Sequence, residues 1–206
     1  MKFLLGLPMT HDFQPEAENW LAMREPEIKV AMAIGHFSSV LCGGLAYLVT
    51  ASLFDFSFEA FFVEYDVLIL PIVLVLILAH ELFHLAMHPG WGLTSRSQCG
   101  FLPQWVLFYA HYDGPTSRNR GLIILIAPFI GLSLLPMLLA AVYPSAALLA
   151  SFIAIMNTTF STLDLFNCLV MLRGIPSKAV IRNKGWRTYW KRPEEIGSNR
   201  MLDVTS

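Results

Sequence analysis

Two histidines with a glutamate between them, His80-Glu81-Leu82-Phe83-His84, stand near the end of the apolar run at residues 67–79. On a helix, side chains four residues apart leave from one face, so both imidazoles can reach a single Zn²⁺ while Glu81 lies beside a water on that ion. The chemistry open to such a set is hydrolysis, with the metal as Lewis acid and the carboxylate as base. The setting sharpens the reading. An ionised carboxylate near the centre of a membrane helix costs roughly 3 kcal/mol, so Glu81 requires a compensating role. The competing explanation is a polar patch that joins helices by hydrogen bonds. Packing rarely calls for two His and a Glu at metal-ligand spacing.

A catalytic zinc site normally has three protein ligands and keeps a fourth position for water. A third His ten residues after the first would fall on Gly90, which excludes the extended metzincin pattern. After Glu81 the carboxylate inside an expected span is Asp164, within a polar island at residues 157–167. Depth permits a meeting. At 1.5 Å per residue, His84 lies roughly 25 Å from the outer start of its span and Asp164 roughly 28 Å from that of its own. Asn157, Ser161, Asp164 and Cys168 follow the spacing of a single helix stripe, which would turn Asp164 toward the bundle interior. The competing reading of Asp164 is an acid paired with Arg173 or capping a helix.

The elements that must hold these groups follow from composition. The chain is 206 residues long, 55% hydrophobic and 14% charged, too apolar for an ordinary soluble domain. The expected class is all-α, with about four transmembrane helices and a strand or short hairpin between the second and third. Residues 1–29 form an interfacial segment with a short helix at 15–24, residues 30–172 the transmembrane metallopeptidase-like domain, and residues 173–206 a basic tail. The spans fall at about 30–54, 67–88, 122–143 and 146–172. Pro128 and Pro136 predict a kink in the third, and the aromatic, β-branched residues at 104–112 predict the strand. The N-terminal apolar core is too short for a signal-peptide core. Cys42, Cys99 and Cys168 are far apart and odd in number, giving neither a disulfide framework nor a Cys metal site, and read as small buried hydrophobes.

Charge distribution predicts the orientation. The stretch between the first two spans holds Asp55, Glu59, Glu64 and Asp66 without Lys or Arg. The next loop holds Arg96, Arg118 and Arg120, and the tail adds Arg173, Lys178, Arg182, Lys184, Arg187, Lys191, Arg192 and Arg200. Both termini are therefore expected in the cytoplasm, with the motif near the cytoplasmic end of its helix. The basic, aromatic segment at 184–192 reads as a lipid-surface anchor rather than a nucleic-acid patch.

A membrane helix bearing His80-Glu81-x-x-His84, an Ala127-Pro128 in the next span and a later helix bearing Asn157 and Asp164 resembles the site-2 protease clan. It is more closely similar to the small bacterial membrane family described as putative zincin peptidases, over residues 67–172. In the true site-2 proteases a Pro follows the Asn by three residues and a Gly follows the Asp; here Phe160 and Leu165 stand there. The resemblance implies Zn²⁺ on His80, His84 and Asp164, Glu81 as general base, and an oxyanion contact from the Asn157 amide. It also implies a bacterial cytoplasmic membrane and a peptide or membrane-protein substrate, which the strand at 104–112 could bind by strand addition. His36, Ser161 and His88 are candidate linings of a cavity reaching the site, His88 also a reserve ligand. His11 and His111 lie outside the spans and carry no expectation. Two rivals stand beside the peptidase: a non-catalytic metal-binding scaffold, and a proton or metal relay through His36, His80, Glu81, His84 and Asp164. Four spans are few for a gated protease, which leaves room for self-association.

Overall fold

The computed structural model describes residues 1–10, 13–105 and 107–194; His11 and Arg200 lie outside them. The chain divides into two compact units, one of Lys29–His84 with Ile126–Phe166, the other of Met1–Ile28, Leu85–Leu125 and Asn167–Ser206.

The first of these units is helical and apolar on its outside. Its helices are α1 (Ile28–Phe54), α2 (Phe58–Tyr65), most of α3 (Ile69–Met87), the end of α4 (Arg118–Phe129), α5 (Leu135–Val142), α6 (Ala147–Phe160) and the start of α7 (Thr162–Gly174). Val40, Leu45, Val63, Val67, Leu70 and Leu138 are exposed, while Thr50, Ser133, Ser151, Asn157 and Ser161 are fully buried. Water would not tolerate so large an apolar exterior, whereas hydrocarbon favours it and drives polar groups inward. Small residues let helices approach closely. A Cβ at Gly35 would collide with Leu163 and one at Gly43 with Thr159 Oγ1, and Ser39 Oγ donates to the Thr159 carbonyl at 3.0 Å. Phe56, Phe61, Phe152 and Ile155 form an apolar cluster, with the Phe61 and Phe152 rings stacked at 3.9 Å.

Among the described residues, three helices are long and apolar enough to cross a membrane: Lys29–Phe54, Phe58–Met87 and Arg118–Val142. The expected fourth span is instead a pair, Pro144–Phe160 and Thr162–Gly174, bent by 51°. The second span also begins earlier than expected, because Ser57 caps α2 by accepting the Ala60 N–H at 3.1 Å and the short turn at Asp66–Leu68 leads into α3. In the third, a π-helical turn at Ile130–Leu134 lies between Pro128 and Pro136.

The second unit corrects the all-α expectation, since its described residues carry seven strands in two sheets. The first sheet has the order β1 (Lys2–Leu5), β3 (Ser97–Leu102), β4 (Leu107–Tyr112), with β1 parallel to β3 and β3 antiparallel to β4. The second sheet runs β2 (Leu21–Ala22), β7 (Arg187–Lys191), β6 (Val180–Lys184), β5 (Thr116–Ser117), antiparallel throughout. The helix expected at 15–24 is absent: Asn19 is left-handed at φ 57° and Leu21 pairs with Trp190. A ten-residue helix next to Pro15 and Pro26 is marginal, and ladder bonds to β7 win. The tail folds back through Gly185, whose φ of 58° suits a two-residue hairpin turn. Tyr189 is buried and Trp190 packs on the cluster of Met23, Met171, Ile175, Ala179 and Ile181. Cys168 is buried and Cys42 and Cys99 are half-buried.

Candidate metal centre

The helix that carries the motif forms because residues 69–79 are apolar and unbroken after Pro71, which sits in the first turn where its missing N–H costs nothing. It stops where His88 precedes Pro89 and the backbone turns left-handed at Gly90 (φ 65°). The carbonyls it leaves without helical partners are taken by Arg120, whose Nε donates to the Met87 oxygen at 3.0 Å and Nη2 to that of His88 at 3.3 Å.

Within the helical unit, three donor atoms converge. His80 Nε2 and His84 Nε2 are 3.2 Å apart, and Asp164 Oδ2 lies 3.2 Å from the first and 3.4 Å from the second. Both histidines are buried. Each of the three offers one ligand atom, all within 4.8 Å of one another.

The protonation pattern can be derived from the neighbours. Asn157, fully buried, directs Nδ2 at the Pro128 carbonyl (2.9 Å), Ser133 Oγ (2.9 Å) and Ser161 Oγ (3.3 Å). A carbonyl can only accept, so the amide nitrogen must face it and Oδ1 must face His80 Nδ1, at 2.9 Å. His80 therefore donates from Nδ1 and turns Nε2 toward His84 and Asp164. Nε2 and a carboxylate oxygen at this separation need a proton or a metal cation between them. Tetrahedral zinc with bonds of about 2.0–2.1 Å has ligand–ligand edges of about 3.3 Å, which the three observed distances match. The residues fit the ion.

Asp164 reaches this place by a route the stripe spacing does not describe. The helix breaks at Ser161, where Thr162 Oγ1 bonds back to the carbonyls of Thr158 (3.1 Å) and Thr159 (3.0 Å), and Thr159 Oγ1 to that of Ile155 (2.9 Å). Such back-bonding bends helices, and here it takes the place of a proline.

Residues 73–180, 108 of the 206, match the family described as "Putative zincin peptidase". The chain belongs to this family. Its matched stretch contains His80, Glu81, His84, Asn157 and Asp164. No curated protein matches this zincin-family chain, and no solved structure does.

The other expected site residues are placed as follows. Glu81 is half-buried on the motif helix, one residue from His80. The Asn157 amide hydrogens are directed at Pro128, Ser133 and Ser161, so its geometry is that of an orienting group for His80 rather than an oxyanion donor. Ser161 is one of its acceptors. His36 is exposed and its Nδ1 donates to the Met32 carbonyl of its own helix at 2.7 Å. His88 is buried with its ring tilted on Tyr112 at 5.6 Å, and it is outside the donor group. Ser133 takes part without having been named from sequence, and Pro128 and Arg120, expected as a kink and as an orientation charge, take part through the Pro128 carbonyl and the Arg120 guanidinium. Ser133 carried a signal, as a hydroxyl between two prolines in an apolar run.

Proposed function

We propose that this member of the zincin family is a zinc-dependent membrane-embedded peptidase. The observation that carries the reading is the triangle of His80 Nε2, His84 Nε2 and Asp164 Oδ2, with edges of 3.2–3.4 Å, two buried histidines and a half-buried aspartate in a helical unit whose exterior is apolar. A zinc ion held there supplies Lewis acidity toward a peptide carbonyl and acidifies water. Glu81 takes the proton from the attacking water on its carboxylate and returns it to the leaving amine. Asn157 fixes the ring plane and tautomer of His80, and Ser133 and the Pro128 carbonyl fix Asn157 in turn.

The substrate is a peptide or membrane-protein segment that must be extended before it can be cut, because a helix has its backbone groups satisfied. The strand β4 is at a sheet edge, which supports substrate capture by strand addition. The charge pattern supports a cytoplasmic position for both termini. The deciding experiment measures zinc content and cleavage of a fluorogenic peptide in purified wild type and Glu81→Gln. The peptidase reading expects zinc at one per chain in both and cleavage reduced at least about 10³-fold in the variant. A variant that cleaves like wild type would overturn it.

A further inference from the structure

A second concave site lies in the sheet-bearing unit, and the proposed peptidase chemistry makes no use of it. Its volume is about 360 Å³, and it is lined by Lys2 from β1, Ser95, Arg96 and Gln98 at the start of β3, Asp113 and Pro115 after β4, and Arg182 from β6. That size suits a small polar ligand or a headgroup.

The lining is built in two tiers. At the floor, Gln98 is 1% exposed and clamped in place, its Nε2 donating to the Met9 carbonyl at 2.6 Å while its Oε1 accepts the Met9 N–H at 3.1 Å. Beside it Arg182, half-buried, gives an Nη2 hydrogen to Asp113 Oδ1 at 3.3 Å and stacks its guanidinium on Phe13 at 4.4 Å. Asp113 is itself pinned, its N–H donating to the Arg96 carbonyl at 2.8 Å. The wall positions are thereby preorganised. At the rim stand Lys2 and Arg96, both exposed, and among the described residues neither side chain pairs with a carboxylate. Three cationic side chains thus face one carboxylate across a polar hollow. Arg182 is paired with Asp113, so an anion entering the hollow meets the positive charge of Lys2 and Arg96.

We propose that this cavity binds a phosphate group. Two arginines and a lysine beside a hydroxyl form a donor set for an oxyanion with several equivalent acceptors, and guanidinium forks match phosphate geometry. A simple carboxylate would satisfy fewer of these donors. The phosphate can come from two sources, a soluble phosphate ester or the headgroup of an anionic phospholipid, and the recognising chemistry is the same.

The test uses the purified full chain and its Lys2→Gln, Arg96→Gln and Arg96→Glu variants. These rim residues are exposed, so folding is checked by zinc content and circular dichroism matching wild type. Inorganic phosphate binding is followed by calorimetry against chloride at constant ionic strength. Phospholipid binding is followed by native mass spectrometry after reconstitution in phosphatidylcholine with or without phosphatidic acid. Wild type is expected to bind phosphate, phosphatidic acid or both in preference to chloride and phosphatidylcholine. Affinity should fall about tenfold for each neutralised cation, and further for Arg96→Glu. Binding of phosphate assigns the soluble source, and binding of phosphatidic acid alone assigns the lipid. Absence of both, or equal binding by wild type and Arg96→Glu, overturns the proposal.

Discussion

The His80 ring is held by one hydrogen bond on its far side, and that bond determines which nitrogen faces the other two donors. With Asn157 Oδ1 accepting from Nδ1 at 2.9 Å, Nε2 is the nitrogen turned toward His84 and Asp164. Replacing Asn157 by Leu removes the acceptor and takes the Nδ2 donor from the Pro128 carbonyl, while Ser133 Oγ keeps the Thr158 hydroxyl at 3.1 Å. Zinc affinity measured by competition with a chelator should fall about 10–100-fold, while Asn157→Asp, which keeps an acceptor, should fall less. Equal affinities for wild type and Asn157→Leu would show that the orientation is set elsewhere. His80, Glu81 and His84 were legible in sequence because their spacing is itself the geometry of a helix face. The partner of His80 was not, because an asparagine's two ends look alike in sequence and only the Pro128 carbonyl decides which one turns inward.

The motif helix owes its last turn to a cation from another element. Arg120, two residues into α4, binds the carbonyls of Met87 and His88 and so closes the end of α3 just past the second histidine. Arg120→Met removes both donors and should destabilise the fold by about 1–3 kcal/mol. Hydrogen exchange should be faster at the end of α3, and unchanged exchange there would contradict the capping role. The elements themselves were legible to different degrees. Long apolar runs announced α1, α3 and the third span because a stretch of that length has few other uses. The bend at Ser161 was hidden, since Thr and Ser are tolerated in membrane helices and their back-bonding to carbonyls has no period. The strands β1, β2, β6 and β7 were hidden for a different reason. They are short, β1 and β7 mix charged with aromatic residues, and β1 and β2 pair only with partners some 90 to 170 residues away. Local propensity cannot announce such pairings.

At the scale of the whole molecule, the helical unit turns apolar side chains outward and buries polar ones, and the sheet-bearing unit also exposes large apolar side chains such as Phe3, Leu5, Trp91 and Leu93. The second contains a titratable group whose burial makes the fold sensitive to acid. His111 on β4 is 6% exposed, its Nε2 has no hydrogen-bond partner among the described residues, and burial lowers its pKa from 6.5 to about 4 despite the Asp113 charge nearby. The folded chain refuses a proton that the unfolded chain takes up near pH 6.5. The neutral form's contribution is therefore complete above about pH 6.5, is lost as the pH falls toward 4, and amounts to roughly 3 kcal/mol. Denaturation in detergent at stepped pH should show that slope, and His111→Gln should flatten it; an identical slope in the variant would assign the loss to other groups. The central claim is a shared metal ion, and metal analysis joined to X-ray absorption of the purified chain tests it most directly. The account predicts one zinc per chain with nitrogen and oxygen neighbours at about 2.0–2.1 Å, and at least a tenfold loss of affinity in Asp164→Ala. A chain that purifies without zinc and takes none up, or an Asp164→Ala variant that binds it as tightly as wild type, would contradict it.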